Sequence, residues 1–234
     1  MIIHLETVSS TMDIARSLIP QNPEDGTAVY ADYQEKGRGR VEGRRWVCPK
    51  GESLLATFLF KTGSIAFPLP AFPLYAGYVT AQCLKKLYGI ECQVKWPNDV
   101  LVNGAKIAGI YCECIDSYIS CGIGINLMQT EFGSSYRRNA TSVKMVTGLM
   151  PDREELLKKM IEYFILNLKN FSWIKDFQNI LYKINEKITV LEGLADSGTA
   201  VTGILSGIGQ YGQMLVRLPD GTVKEIFTGE LQVE

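Results

Sequence analysis

The sequence predicts an α+β main domain with a small β-rich module behind it. Three patterns carry this reading. The first 126 residues alternate strand-like runs with helical stretches. A long amphipathic helix follows at Pro151–Asn170. From Ile188 onward, short β-rich runs are separated by Gly, Asp and Pro turns. The expected division is a main domain over residues 1–187 and a small β-barrel over 188–234. With 234 residues and 46% hydrophobic content, the chain has ample apolar material for a core.

Met1–Glu6 reads as an edge strand in which His4 has a structural role. Ser9-Ser10-Thr11 then offers an N-cap to a first helix with Asp13 in its first turn. Thr27–Tyr33 and Ser53–Lys61 are strands, and Phe72–Leu87 carries apolar residues at helical spacing. Asn103-Gly104 predicts a hairpin between Val100–Val102 and Lys106–Cys114. Tyr118–Ile125 is a further strand, and Gln129–Arg138 reads as a polar and aromatic loop. In Pro151–Asn170, Asp152 caps a helix whose stripe includes Leu156, Leu157, Met160, Ile161, Phe164, Ile165 and Leu168. Phe171–Lys187 is expected to be a second helix packed on it. Gly207–Gly212 matches G-x-G-x-x-G but opens no helix, so it is not a dinucleotide site. No P-loop sequence is present.

Several classes are excluded by composition. A net charge of −1 and a pI near 6.0 disfavour a dedicated nucleic-acid binder. The six cysteines form no C-x-x-C pair and only one histidine is present, which disfavours structural zinc. Cys112 and Cys114 alternate along a strand and are expected to be buried thiols. No signal peptide or apolar run of membrane-spanning length is seen, so a reduced cytoplasmic protein is expected.

Basic character is concentrated in Gly37–Trp46. Four of the chain's nine arginines (Arg38, Arg40, Arg44 and Arg45) lie there, between Gly37, Gly39 and Gly43, with Trp46 closing the run. Arginine suits phosphate and carboxylate, glycine permits close backbone approach, and tryptophan offers a stacking face. The combination predicts a loop that closes over an anionic ligand carrying a ring. A solvated turn and a single-stranded nucleic-acid contact are the competing readings. Four clustered arginines repel one another unless an anion lies between them. Gln34, at the end of the preceding strand, has the donor and acceptor needed to read an amide or urea. A second informative stretch, Val94–Gly109, places Lys95, Asn98, Asp99 and Lys106 around the predicted hairpin. Edge-strand lysine is the plain alternative for Lys95 and Lys106.

Taken in order, Ser10-Thr11, Tyr33-Gln34 with Gly37–Arg40, Lys95–Asp99, Lys106-x-Ala108-Gly109 and Gly122–Asn126 resemble the biotin protein ligases. The resemblance covers Ser9 to about Ser142, and the C-terminal module is similar to the family's SH3-like barrel. It implies a mixed sheet with helices on one side, as in the biotin/lipoate ligase fold. It also implies the following site. Ser10, Thr11, Met12, Gln34, Gly37, Arg38, Gly39, Arg40, Lys106 and Gly109 bind biotin. Arg40, Arg44, Trp46, Asn98, Lys106 and Asn126 bind ATP, with Trp46 against adenine. Lys106 and Arg40 are catalytic, and Asp99 is a candidate ligand of Mg²⁺.

The implied activity joins biotin to ATP as biotinyl-5′-adenylate. It then transfers biotin to a lysine of a biotin carboxyl carrier protein domain, and a homodimer is compatible with it. Two features depart from the family pattern. Two residues, Val41 and Glu42, separate Gly-Arg-Gly-Arg from the next Gly-Arg where one is usual. Met12 stands where asparagine is usual. No DNA-binding segment is seen before the catalytic residues, so specific DNA binding is not expected. A lipoate ligase is the sister reading, and a nucleic-acid module built on the Arg-rich loop is the reading of another class.

Overall fold

The computed structural model describes residues 1–41, 43–133, 139–193 and 198–232. A seven-stranded mixed sheet forms the main layer. Its strands are β1 (Ile2–Val8), β2 (Thr27–Gln34), β3 (Ser53–Lys61), β4 (Gln93–Lys95), β5 (Asp99–Val102), β6 (Ala105–Ile115) and β7 (Tyr118–Asn126). They lie in the order β1-β2-β3-β7-β6-β5-β4. Only β1 and β2 are parallel. The two hairpins β5–β6 and β6–β7 turn at Asn103-Gly104 and Asp116-Ser117, where Asn103, Gly104 and Asp116 take positive φ. That conformation is why Asn-Gly is a hairpin signal.

Alternation along each strand separates two faces. Ala28, Leu54, Phe58, Ile110 and Cys121 belong to the large core beneath α2 (Phe72–Tyr88) and α4 (Arg153–Asn167). Phe164 is its centre, with ring centroids 5.2, 5.0 and 5.6 Å from Phe58, Phe60 and Tyr75. Val29, Leu59 and Tyr118 point the other way, to Ala15 and Ile19 near the short helix α1 (Thr11–Leu18). The expected sheet with its main helices on one side is therefore present, and α1 covers part of the opposite face. The rest of that opposite face is where the cavity described below opens.

The predicted caps are in place. Ser10 accepts a bond from the Met12 N–H, and Asp152 accepts from the N–H groups of Glu154 and Glu155. A short helix, α3 (Val143–Thr147), starts on the Ser142 hydroxyl and ends at Gly148. Ile165, expected on the buried stripe of α4, is exposed; Leu156, Leu157, Met160 and Phe164 carry that face instead.

The second helix expected at Phe171–Lys187 is only α5, Trp173–Gln178. Beyond it the chain runs beside β4, where Val94 donates to the Ile180 carbonyl and accepts from the Tyr182 N–H. Lys183 and Asn185 take positive φ, which ends helical geometry. Cys112 is half-buried and Cys114 exposed, as β6 nears its hairpin with β7; the other four thiols are buried.

The second sheet runs from Lys187 to Leu231. It comprises β8 (Lys187–Glu192), β9 (Thr199–Ile208), β10 (Met214–Arg217), β11 (Val223–Ile226) and β12 (Gly229–Leu231), ordered β11-β10-β9-β8-β12. All pairs are antiparallel, and β11 and β12 remain edges, so the curl is open. Its core residues Ile188, Val190, Leu205 and Met214 are continuous with the main core. The G-x-G-x-x-G string is the turn between β9 and β10. Gly212 packs on Ala71 there, and its carbonyl accepts the Trp96 indole N–H at 3.0 Å. Among the described residues, no helix is long and apolar enough to cross a membrane.

Replacing Phe164 with Ala removes the ring that joins α4 to β3 and α2. The expected loss is about 3–5 kcal/mol of unfolding free energy, the usual scale for Phe→Ala in a packed core. Urea denaturation followed by circular dichroism measures it. A loss below about 1 kcal/mol would mean that this ring is not a keystone.

Candidate active site

The sheet face away from α2 and α4 bears a cavity of about 720 Å³. Its floor is a cross-strand pair of glycines. Gly109 of β6 lies directly opposite Gly124 of β7. Neither has a side chain, so the sheet backbone is bare here and the Trp46 indole lies on it. A Cβ on Gly124 would fall 2.5 Å from the indole, and one on Gly109 would fall 2.9 Å from it. Gly122, further along β7, receives the Met12 thioether.

Lys106 reaches this floor through a β-bulge. Strict alternation would put it on the core face with Ala108 and Ile110. The register between β5 and β6 shifts by one residue, however, with Val100 opposite Ala108 and Leu101 opposite Lys106. The extra residue, Ile107, goes into the core, and Lys106 turns to the cavity. Its ammonium bonds Asp99 at 2.5 Å and stands 5.6 Å from the Trp46 ring centroid. Its backbone is tied to Asn139 and Thr141, and Asn126 donates to the Thr141 carbonyl at 3.0 Å.

One end of the cavity is made by the start of α1 and the end of β2. Gln34 Oε1 accepts two bonds there, from the Thr11 N–H at 2.8 Å and the Thr11 hydroxyl at 3.0 Å. The sequence suggested that Gln34 offers both a donor and an acceptor. In the fold its oxygen is taken by Thr11, which leaves the amide nitrogen for the cavity.

The Arg-rich loop lines the cavity and meets counter-charges from α1 and β12. Arg38 pairs with Asp13 of α1, and Arg44 is bidentate to Glu230 of β12 at 2.8 and 3.3 Å. Arg40 donates to the Gly229 carbonyl at 3.0 Å. Two of the four clustered arginines, Arg38 and Arg44, thus face carboxylates of the protein itself. The glycines serve the loop's own packing. A Cβ on Gly37 would fall 2.4 Å from the Trp46 carbonyl, and one on Gly39 would fall 3.1 Å from Arg44. Glu42, half of the two-residue spacer, lies outside the described residues, as do Ser134–Arg138 of the expected polar loop.

Of the expected site residues, Ser10, Thr11, Met12, Gln34, Arg38, Gly39, Arg40, Arg44, Trp46, Asn98, Asp99, Lys106, Gly109 and Asn126 all line this cavity. Gly37 does not; it is buried under Trp46. Asn98 spends its amide on the Ile110 carbonyl at 2.8 Å. Sequence reasoning missed Glu230, Tyr111 and the depth of Lys95. Lys95 is not a solvated edge lysine: it is 2% exposed and lines the cavity. Nothing near Glu230 in sequence marks it, since its partner Arg44 is distant along the chain. Tyr111 donates to Glu113 at 2.8 Å, and burial first, then that bond, raise its phenol above its usual pKa, so it stays neutral.

Among the described residues, no group of three or more His, Cys, Asp or Glu side chains converges. Among the described residues the cavity's carboxylates are Asp99 and Glu230, engaged by Lys106 and Arg44. This donor set fits no protein-built metal cage. It does fit a Mg²⁺ ion that arrives on phosphate oxygens and takes at most one carboxylate.

Residues 5–127 match the biotin/lipoate A/B protein ligase family. The chain belongs to that family. The biotin--[acetyl-CoA-carboxylase] ligase of Paracoccus denitrificans is 32% identical over 225 residues, covering 86% of this chain and 90% of the relative. The bifunctional ligase/repressor BirA of Bacillus subtilis is 32% identical over 171 residues, and this chain spans 52% of its length. Among solved structures, the biotin protein ligase from Aquifex aeolicus in complex with biotin and ATP superposes with a TM-score of 0.84 at 31% identity. That match covers 99% of this chain and 97% of the other.

The Arg44–Glu230 pair is partly exposed, so it is worth about 0.2–1 kcal/mol. Glu230→Gln is therefore expected to loosen the loop without unfolding the protein. Limited trypsin digestion should cut at Arg38, Arg40, Arg44 or Arg45 about two- to fivefold faster than in wild type, as read by mass spectrometry. Equal rates would show that the Glu230 carboxylate does not restrain the loop.

Proposed function

We propose that the chain is an ATP-dependent biotin–protein ligase. One observation carries the reading. A single cavity is lined by a hydroxyl-and-amide end at Ser10, Thr11 and Gln34, by a cationic end under the arginines, and by Lys106. A neutral polar ring with an acid tail fits the first end, and a nucleotide phosphate fits the second. The Aquifex aeolicus relative, whose structure holds biotin and ATP, supports this assignment.

The chemistry requires two anions to meet. A carboxylate oxygen of biotin attacks the α-phosphorus of ATP, pyrophosphate leaves, and biotinyl-5′-adenylate forms. Lys106 would leave Asp99 to stand between carboxylate and phosphate, where negative charge builds in the transition state. Arg40 and Arg44 would exchange Gly229 and Glu230 for phosphate oxygens. Asp99, once released, could supply one carboxylate to Mg²⁺, and the metal would neutralise phosphate charge.

The loop and Trp46 would keep water from the mixed anhydride. In the second step the ε-amine of an acceptor lysine attacks the acyl carbon, loses a proton and displaces AMP. The acceptor in this reading is a biotin carboxyl carrier protein domain. Residues 1–187 form the catalytic unit, and residues 188–234 serve it through Gly229 and Glu230.

Pyrophosphate release is expected only when biotin, ATP and Mg²⁺ are present together. Release with lipoate and not biotin would assign the chain to the sister activity. Lys106→Met should keep the fold and slow adenylate formation by about 10²–10³-fold, the scale of one lost transition-state contact. A rate within a fewfold of wild type would remove Lys106 from the catalytic role. Biotin with MgATP should also protect the Arg-rich loop from trypsin, and unprotected cutting while adenylate forms would end its part as a cover.

A further inference from the structure

Behind the hydroxyl-and-amide end stands Thr57, in the middle of β3. It is fully buried and does not line the cavity. Its hydroxyl lies 2.8 Å from that of Thr11. Each hydroxyl has one proton to give. The Thr11 hydroxyl gives its proton to Gln34 Oε1, so it can only accept from Thr57. The chain of bonds has one direction: Thr57 O–H to Thr11 O–H to Gln34 Oε1.

The direction also settles the Gln34 amide. The Thr11 backbone N–H is a donor and can only face an acceptor, so the amide oxygen must point at it. With both lone pairs of Oε1 occupied, the amide meets the cavity with its Nε2–H₂ group alone. At Gln34 the cavity therefore offers a hydrogen-bond donor and no acceptor.

We propose that Thr57 is a positioning residue for ring selection: through Thr11 it holds Gln34 as a donor, so the site takes a ring carrying C=O and rejects the same ring carrying a cationic C=NH₂⁺. The proposal rests on the biotin reading and names the group by which the ring is chosen. Losing the Thr57 donor leaves a buried Thr11 oxygen short of a partner and loosens the amide. A ring carbonyl loses affinity as a result. A guanidinium ring, which Gln34 opposes from the start, loses nothing.

The test compares wild type with Thr57→Val, Thr57→Ala and Thr57→Ser in the pyrophosphate-release assay. Biotin is the substrate and 2-iminobiotin, whose ureido carbonyl oxygen is replaced by a protonated imine, is the inhibitor. Thermal melting reports folding. Removing the hydroxyl should raise KM for biotin about 3- to 10-fold, the scale of one buried neutral hydrogen bond. It should leave kcat within about twofold and leave Ki for 2-iminobiotin unmoved or lower. Serine, which restores the hydroxyl, should restore selectivity.

Alanine and valine differ in volume, so a shared effect reports the hydroxyl, and either one that folds suffices. If KM is unchanged, or if KM and Ki rise by the same factor, the proposal is overturned and the ligase reading stands. If the wild type releases no pyrophosphate with biotin, both fall together.

Discussion

The site exists because two glycines face each other across β6 and β7. Along most of this sheet, strand side chains cover the backbone, and above Gly122 the Met12 thioether does. At Gly109 and Gly124 nothing does, and the Trp46 indole lies on the exposed backbone. The indole in turn fixes the closing end of the Arg-rich loop and gives the Lys106 ammonium a ring to stand beside. A methyl group on Gly124 would have to displace the indole. It would thereby shift the loop, the lysine and the wall between the two ends of the cavity.

Charge at the site is held in internal pairs. Arg38, Arg44 and Lys106 are held against Asp13, Glu230 and Asp99. A cavity with bare cations would repel itself and soak up any passing anion. With internal partners the groups are pre-positioned, and a ligand must supply better geometry than a carboxylate to win them. Pairs at the cavity mouth are weak in water, so exchange is within reach of phosphate. The same principle places Gln34, whose oxygen is committed inside the protein so that only its nitrogen is offered outward.

Most of the main sheet was legible because its signals are local. Asn103-Gly104 sets a hairpin, Ser10 and Asp152 set caps, and alternation in β3 sets two faces. Phe171–Lys187 misled because its apolar spacing is compatible with a helix, yet the backbone of Ile180 and Tyr182 pairs with Val94, a partner no local pattern reveals. Cavity residues were legible through their order and spacing in the family resemblance. Their arrangement was not. Local pattern reads Lys106 as an edge-strand lysine until the bulge is known, and Gln34 reads as amphoteric until Thr11 is seen against it. Glu230 was hidden because its meaning lies in a tertiary contact with Arg44 across nearly the whole chain.

Trp96 sits between Lys95 and Asn98 in the cavity wall, and its indole N–H reaches the Gly212 carbonyl at the tip of the β9–β10 turn. Glu230 and Gly229 touch the loop arginines from the other side of the same module. The C-terminal sheet thus touches the site at two places, and its apolar residues run into the main core without a break. Modules joined this way are not interchangeable parts. A chimera carrying a relative's C-terminal sheet would have to bring a matching turn, a matching carboxylate and a matching apolar seam at once. Recombination and drift should therefore have treated the two sheets as one inherited piece.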